Sequence, residues 1–370
     1  MPEQSSQSSK KRPRTDPFDD RGHRLGSSEC EQKPPLRDDE FWFKDGTIVL
    51  IAGNVAFRVY EGLLARDSSV LRDLFAGLQR VLPNVEMIDG CPVARLSDRS
   101  EELRSLLRAI LSPWGYYRPD QTVSFSVVAS LIRLGHKYRM QHILDNALGR
   151  LKGRFSDKLE TWFDAWKGTH DSEPSISRPS MTSRPTDAIA AVNLARLTGA
   201  TSVLPSALYE CANLPTQTLL QGIQRDGDDT TTDRLSSEDV ERCLDARKYL
   251  VYDYFLTTLR AVAPECDEDC EGDSDCSSFF GDRLEFLRTK GHDKTGLCRY
   301  DSLTYRNVFD LRGRNIYALC ATCEAMMEER HRRERLEIWC RLPGYFGVHV
   351  PGWPDIDQSE EPASYSDSDS

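Results

Sequence analysis

Two residues, Gly53-Asn54, sit between short runs rich in β-branched and aromatic side chains, and they constrain the first half of this chain more than any other feature. Thr47 to Ala52 precedes the pair, and Val55, Phe57 and Val59 alternate with Ala56 and Arg58 after it, which predicts a β-hairpin closed by a two-residue turn. Ser68 can then cap a helix in which Val70, Leu71, Leu74, Phe75 and Leu78 share one face. A short strand is expected around Val93 to Leu96. Asp98, with Glu101 three residues on, resembles a capping box ahead of an apolar stripe of Leu103, Leu106, Leu107, Ile110 and Leu111. A third helix covers roughly Ser124 to Arg139, with Val127, Val128, Leu131, Ile132 and Tyr138 inward. A fourth carries Ile143, Leu144, Ala147, Leu148, Leu151 and Phe155. A hairpin followed by helices with one interleaved strand is an α+β domain in which helices pack around a small sheet.

The segments DGTIVLIAG, AFRVYEGLLARDSSVLRDLF, VARLSDRSEELRSLLRAIL and SLIRLGHKYRM resemble, in order and spacing, the successive blocks of a BTB/POZ domain, over residues 41–155. Asp45, Phe57, Leu63, Leu64, Ser68 and Phe75 fall where that family has its strand-opening Asp, its Phe-x-x-His turn and its helix-capping Ser, while Tyr60 stands where most members carry His. The flavour of these blocks is similar to the BTB proteins expanded in mushroom-forming fungi, which join the domain to a helical C-terminal part ending in Cys-rich and Trp-rich motifs.

The flanks differ in composition. Residues 1–40 hold almost nothing apolar and are expected to form a disordered tail, because little burial is on offer against the entropy of ordering. Within it Lys10-Lys11-Arg12-Pro13-Arg14 is a basic cluster that fits either an import signal or a solvated tail. Residues 156–186 are read as a helix end and a Ser/Pro-rich linker, 187–353 as a mainly α-helical C-terminal region, and 354–370 as a disordered acidic tail. Ser236 with Asp239 can cap a long helix whose inward face is expected to be Val240, Leu244, Val251, Phe255, Leu259 and Val262. Trp339, Leu342, Pro343, Phe346 and Val348 to Trp353 look like the closing motif of the fungal group, in which the chain docks back onto the body.

The chain has 370 residues and a net charge of −11, a field that repels phosphate backbones and anionic membrane surfaces. No apolar run reaches membrane-spanning length and no secretory signal opens the chain, so an intracellular protein, nuclear or cytoplasmic, is expected, with neither direct nucleic-acid binding nor a membrane role. Its eleven cysteines then read as reduced thiols or metal ligands. Cys320-x2-Cys323 can hold one edge of a tetrahedral zinc site, and Cys266-x3-Cys270-x5-Cys276 together with Cys298 could supply the rest. The candidate ligands are Cys266, Cys270, Cys298, Cys320 and Cys323. Two readings stand open: one structural zinc, or an acidic loop of unpaired thiols with Cys320 and Cys323 packed on a helix. The tract Glu328 to Arg335, EERHRRER, is expected to form a solvated, salt-bridged face.

Signatures of phosphate-binding loops, nucleophile elbows and zinc proteases are missing from the sequence, and His136 in the LGHKYRM block is read as a partly buried structural histidine. The expected function is therefore an interaction module and not an enzyme. The BTB/POZ resemblance implies homodimerisation or heterodimerisation, with the C-terminal region recruiting partner proteins. Phe41, Phe43, Leu63, Leu64, Leu71 and Leu74 are its candidate structural or interface positions. The resemblance also suggests a substrate adaptor of a cullin-type ubiquitin ligase, although Ser112 to Val123 lacks the Glu of the short apolar-x-Glu motif common in such adaptors. The alternative is a nuclear transcriptional or chromatin-associated regulator acting through protein partners.

Overall fold

A computed structural model describes residues 34–80, 85–111, 121–170, 181–225, 231–271, 273–290, 302–303 and 319–355. Strand β2 (Ile48–Ala52) and strand β3 (Val55–Val59) form the expected antiparallel hairpin, with Ala52 facing Val55 across the turn. Gly53 takes φ +57, a left-handed conformation that favours glycine even though space is open where a side chain would stand. Strand β1 (Leu36–Trp42) lies parallel to β3 at one edge of the sheet. Strand β5 (Cys91–Leu96) runs parallel to β2, and the short β4 (Met87–Ile88) closes the other edge, giving the order β1-β3-β2-β5-β4.

The sheet begins earlier than the sequence suggests. Leu36 to Glu40 belong to β1 and not to a tail, because their charges are paired: buried Asp38 takes Arg104 at 2.7 Å, and Glu40 pairs with Arg108. A strand that stabilises itself through ion pairs carries no apolar signature. Residues 1–33, including the basic cluster, lie outside the described residues.

Alternation gives the sheet two apolar faces. Ile48, Leu50, Ala52, Phe57, Val59 and Ala94 join the main core under the helices, whereas Val49, Ile51, Ala56, Cys91 and Val93 make a smaller cluster with Trp42 and Ile88. Helix α1 (Glu61–Asp67) leads into α2 (Ser69–Arg80), and Ser68 caps α2 as expected: its hydroxyl accepts the Leu71 N–H at 3.0 Å and donates to the Tyr138 carbonyl at 2.7 Å. Helix α3 (Ser100–Leu111) follows β5. Asp98 receives Lys137 at 2.6 Å and the Tyr138 hydroxyl. Helices α4 (Phe125–Lys137) and α5 (Gln141–Arg154) pack tightly at Gly135, where a Cβ would meet the Leu144 backbone nitrogen at 3.2 Å. His136 is exposed on α4, which corrects the expectation of a partly buried residue.

Part of the segment read as a linker is folded. Helix α6 (Leu159–His170) buries Leu159 and Trp162, and β7 (Met181–Thr182) pairs in parallel with β6 (Val123–Ser124). Beyond it come α7 (Ala188–Thr198), α8 (Leu204–Ala212) and α9 (Thr216–Gln221), then a small hairpin of β8 (Ile223–Gln224) and β9 (Thr232–Asp233). Two 25-residue helices, α10 (Ser237–Ala261) and α12 (Ala321–Tyr345), pack on each other, with α11 (Asp273–Lys290) between them in sequence. The protein is thus a mixed α/β chain with a five-stranded sheet toward its N-terminus and a helical C-terminal region. One apolar core runs from Phe41 through Trp162 and Tyr209 to Phe346.

A buried ion pair lies in that core. Arg154 donates to both carboxylate oxygens of Glu210, at 2.7 and 2.9 Å, and the Trp162 indole donates to the same carboxylate at 3.0 Å. The closing motif docks as expected: Trp339, Leu342 and Phe346 are buried, and the Trp339 indole donates to the Asp157 carbonyl at 3.0 Å. Trp353 stacks on Trp339 at 5.1 Å and donates to its carbonyl.

The inward face of α10 is only partly the expected one: Val240 packs against the core and Val262 is buried, but the rest of the stripe is displaced. Cys243, Ala246, Arg247, Leu250 and Tyr254 point in, while Leu244 and Phe255 are exposed together with Tyr249 and Tyr252. Arg247 explains the choice. Its guanidinium caps the end of α8, donating to the carbonyls of Ala212 (2.9 Å) and Leu214 (2.7 Å) and to the Thr216 hydroxyl (2.7 Å). Carbonyls at a buried helix end need donors, so this charged residue turns inward and carries the opposite stripe outward.

Candidate metal centre

The first turn of α12 builds half of the site. Cys320 is the N-cap residue, and its sulfur accepts the backbone N–H of Cys323 at 3.4 Å, which folds the two ends of Cys-x2-Cys onto one point. Cys276, in the first turns of α11, accepts the N–H of Cys320 at 3.3 Å. Cys270 lies just before α11, in a turn closed by its own N–H to the Asp267 carbonyl at 3.1 Å. The ligand atoms of Cys270, Cys276, Cys320 and Cys323 all lie within 4.8 Å of one another.

The geometry suits a tetrahedral ion better than a disulfide. The Cys270 and Cys320 sulfurs are 3.7 Å apart. Bonded sulfurs sit at about 2.0 Å, whereas four thiolates each about 2.3 Å from zinc are roughly 3.8 Å from one another. Cys276 and Cys323 are buried, Cys270 and Cys320 half-buried, and Phe280 and Met327 wall the group in a small apolar cluster separate from the main core.

Electrostatics within the group is uneven. The Cys323 N–H, at the positive end of α12, holds the Cys320 thiol down to about 6, so this sulfur is largely thiolate at neutral pH. Burial pushes Cys323 far up. At Cys276 the Cys320 N–H favours the thiolate, but burial and neighbouring thiols outweigh it and the thiol is raised. One thiolate is ready, and its partners would ionise beside a dication that repays the charge. With four protein sulfurs filling the four positions, the donor set fits a structural zinc with no position left for a substrate.

The sequence candidates divide accordingly. Cys270, Cys320 and Cys323 come together, Cys298 lies outside the described residues, and Cys266 packs beside the group without joining the four. Cys276 takes the fourth place. Its signal was the helical spacing to Phe280, which sends the sulfur and the ring to the same side of α11.

The interface candidates divide too. Phe41, Leu64 and Leu71 are buried core, and Phe43 is half-buried against Tyr60 at 5.1 Å. Leu63 at 37% and Leu74 at 38% are exposed. The Tyr60 hydroxyl donates to Asp45 at 2.8 Å. The basic tract of α12 is less solvated than expected, since His331 is buried and Arg335 lies 3.9 Å over the Phe163 ring.

A second cluster lies in a cleft of about 350 Å³ between α3, α4 and the β8–β9 hairpin. Glu102 takes Arg133 at 2.9 Å and Arg225 at 3.4 Å, and Asp233 takes Arg133 at 3.6 Å and also Arg225. Two carboxylates and two guanidiniums form a closed, neutral ring that ties the hairpin to the N-terminal helices. Among the described residues no helix is long and apolar enough to cross a membrane. No known protein family, curated protein or solved structure matches the chain.

Proposed function

We propose that this protein is an interaction adaptor of BTB/POZ type, dimerising through its N-terminal half with itself or a related chain and recruiting partner proteins through its helical C-terminal region. The observation that carries this reading is the order of elements from Ile48 to Arg154: a hairpin, two short helices, a strand parallel to β2, one helix and a helix pair. That is the order of the four sequence blocks. Exposed Leu63 and Leu74 support a dimer contact on α1 and α2. Leu244, Tyr249, Tyr252 and Phe255 put four of the large exposed apolar side chains on one helix of the C-terminal region, a density that marks protein contact surfaces.

Zinc bound by Cys270, Cys276, Cys320 and Cys323 cross-links the loop before α11, α11 itself and the start of α12, and so braces the outer end of the recruiting region. Its role is structural. Cullin-type ubiquitin ligases are the first class of partner to seek, against the missing Glu in residues 112–123.

Light scattering of the purified chain tests the dimer: a mass of two chains is expected, and a monomer at micromolar concentration overturns it. Affinity capture with Tyr252→Glu and Phe255→Glu variants tests the recruiting face. Partners retained equally by wild type and both variants would remove α10 from the reading. Metal analysis is expected to give one zinc per chain, and a ratio near zero ends the zinc assignment.

A further inference from the structure

A fifth thiol stands beside the four. Cys266 is half-buried and packs against the small cysteine cluster on which Cys270 also packs. Tetrahedral zinc has no room for a fifth sulfur. Nor is Cys266 held there as a ligand, because its segment is fastened to α12 by other means: Arg330 donates to the carbonyls of Ala263 (3.5 Å) and Glu265 (3.4 Å) and faces the Glu265 carboxylate at 3.7 Å. A thiol is thus kept beside the cluster of candidate ligands by contacts independent of any metal.

We infer that Cys266 and Cys270 form a hydroperoxide-reactive dithiol, in which Cys266 resolves oxidised Cys270 and thereby withdraws a ligand from the metal centre. This rests on the zinc reading. The Cys270 sulfur attacks one peroxide oxygen, the O–O bond breaks, and Cys270 becomes a sulfenic acid as hydroxide leaves. The Cys266 sulfur then attacks the sulfenic sulfur, the S–O bond breaks, and the leaving oxygen departs as water with the proton Cys266 gives up. Two thiols lose two electrons and one hydroperoxide gains them. Cys270 is favoured over Cys323 as the partner because it is half-buried and lies in a turn outside the helices, whereas Cys323 is buried inside α12. Loss of Cys270 would leave three thiolates on the ion, too few for a closed structural site.

The full chain, purified with zinc and analysed for metal, is exposed to hydrogen peroxide while a chromogenic chelator reports zinc release and non-reducing peptide mapping reports disulfides. Wild type is expected to release zinc with a Cys266–Cys270 disulfide, reversibly with dithiothreitol. Cys266→Ser is expected to hold the same zinc ratio and to release it about tenfold more slowly, because no resolving thiol remains beside Cys270. Release at the wild-type rate from Cys266→Ser, or a disulfide mapped to Cys320 and Cys323, overturns the inference. A Cys266→Ser chain that binds no zinc makes Cys266 a ligand and overturns it as well. A zinc ratio near zero in wild type, before any oxidant is added, removes the zinc reading itself and with it the metal release.

Discussion

The main core and the cysteine cluster solve the same problem by different means. The first buries dozens of apolar side chains from Phe41 to Phe346 and draws on every helix from α2 to α8. The second has, among the described residues, four buried members, Cys276, Phe280, Cys323 and Met327. Apolar burial grows with the number of side chains brought together, while ordering entropy grows with chain length, so a cluster this small cannot hold the 18-residue α11 by hydrophobic contact alone. Thiols stand where further apolar side chains would otherwise be required, which is where a metal staple is most effective.

This contrast is open to attack, most strongly through the thiols. Cys320→Ser and Cys323→Ser should each abolish zinc binding and raise amide exchange throughout α11 and the first turns of α12, leaving the main core protected. Equal exchange in wild type and variants would show that the small cluster holds itself. The main core should respond to the opposite kind of change. Glu210→Ala leaves Arg154 buried and unpaired, with an expected loss of about 3–5 kcal/mol in urea unfolding and no change in zinc content.

His331 links the two regions along α12 and adds a pH test. Burial, reinforced by Arg335, lowers its pKa to about 4, so the folded state favours the neutral imidazole. The unfolded chain takes up a proton first as pH falls below about 6.5. Stability is therefore full above that value and declines toward pH 4, by roughly 2–4 kcal/mol. His331→Phe should flatten this part of the curve, and an unchanged pH profile would remove His331 from the account. The smallest effect on stability is expected at the surface. Leu63→Glu and Leu74→Glu should alter unfolding by no more than about 0.5 kcal/mol, yet shift the light-scattering mass from two chains toward one.

Much of the N-terminal half was legible because its signals are local. The Gly53-Asn54 turn, the Ser68 cap and the apolar stripes of α4 and α5 depend on residues a few positions apart, and all lie where the spacing placed them, as does the Ser236 cap in the C-terminal region. Strand β1 was missed because its partners are charges on α3, some 66 residues away. The BTB/POZ resemblance came from the same local blocks and remains the basis of a proposal.

Sequence by itself determined the hairpin, the helices of the N-terminal half, the Ser68 and Ser236 caps and the presence of a thiol-rich stretch in an acidic run. Tertiary structure decided which side of α10 faces in, because the need of the α8 carbonyls for Arg247 is invisible along α10 itself. It also decided which four of the cysteines converge, since that depends on α12 returning to the body, where the Trp339 indole meets a carbonyl 182 residues earlier in the chain. Local propensity is set by near neighbours, whereas burial and coordination are set by whatever distant segment arrives to share the space.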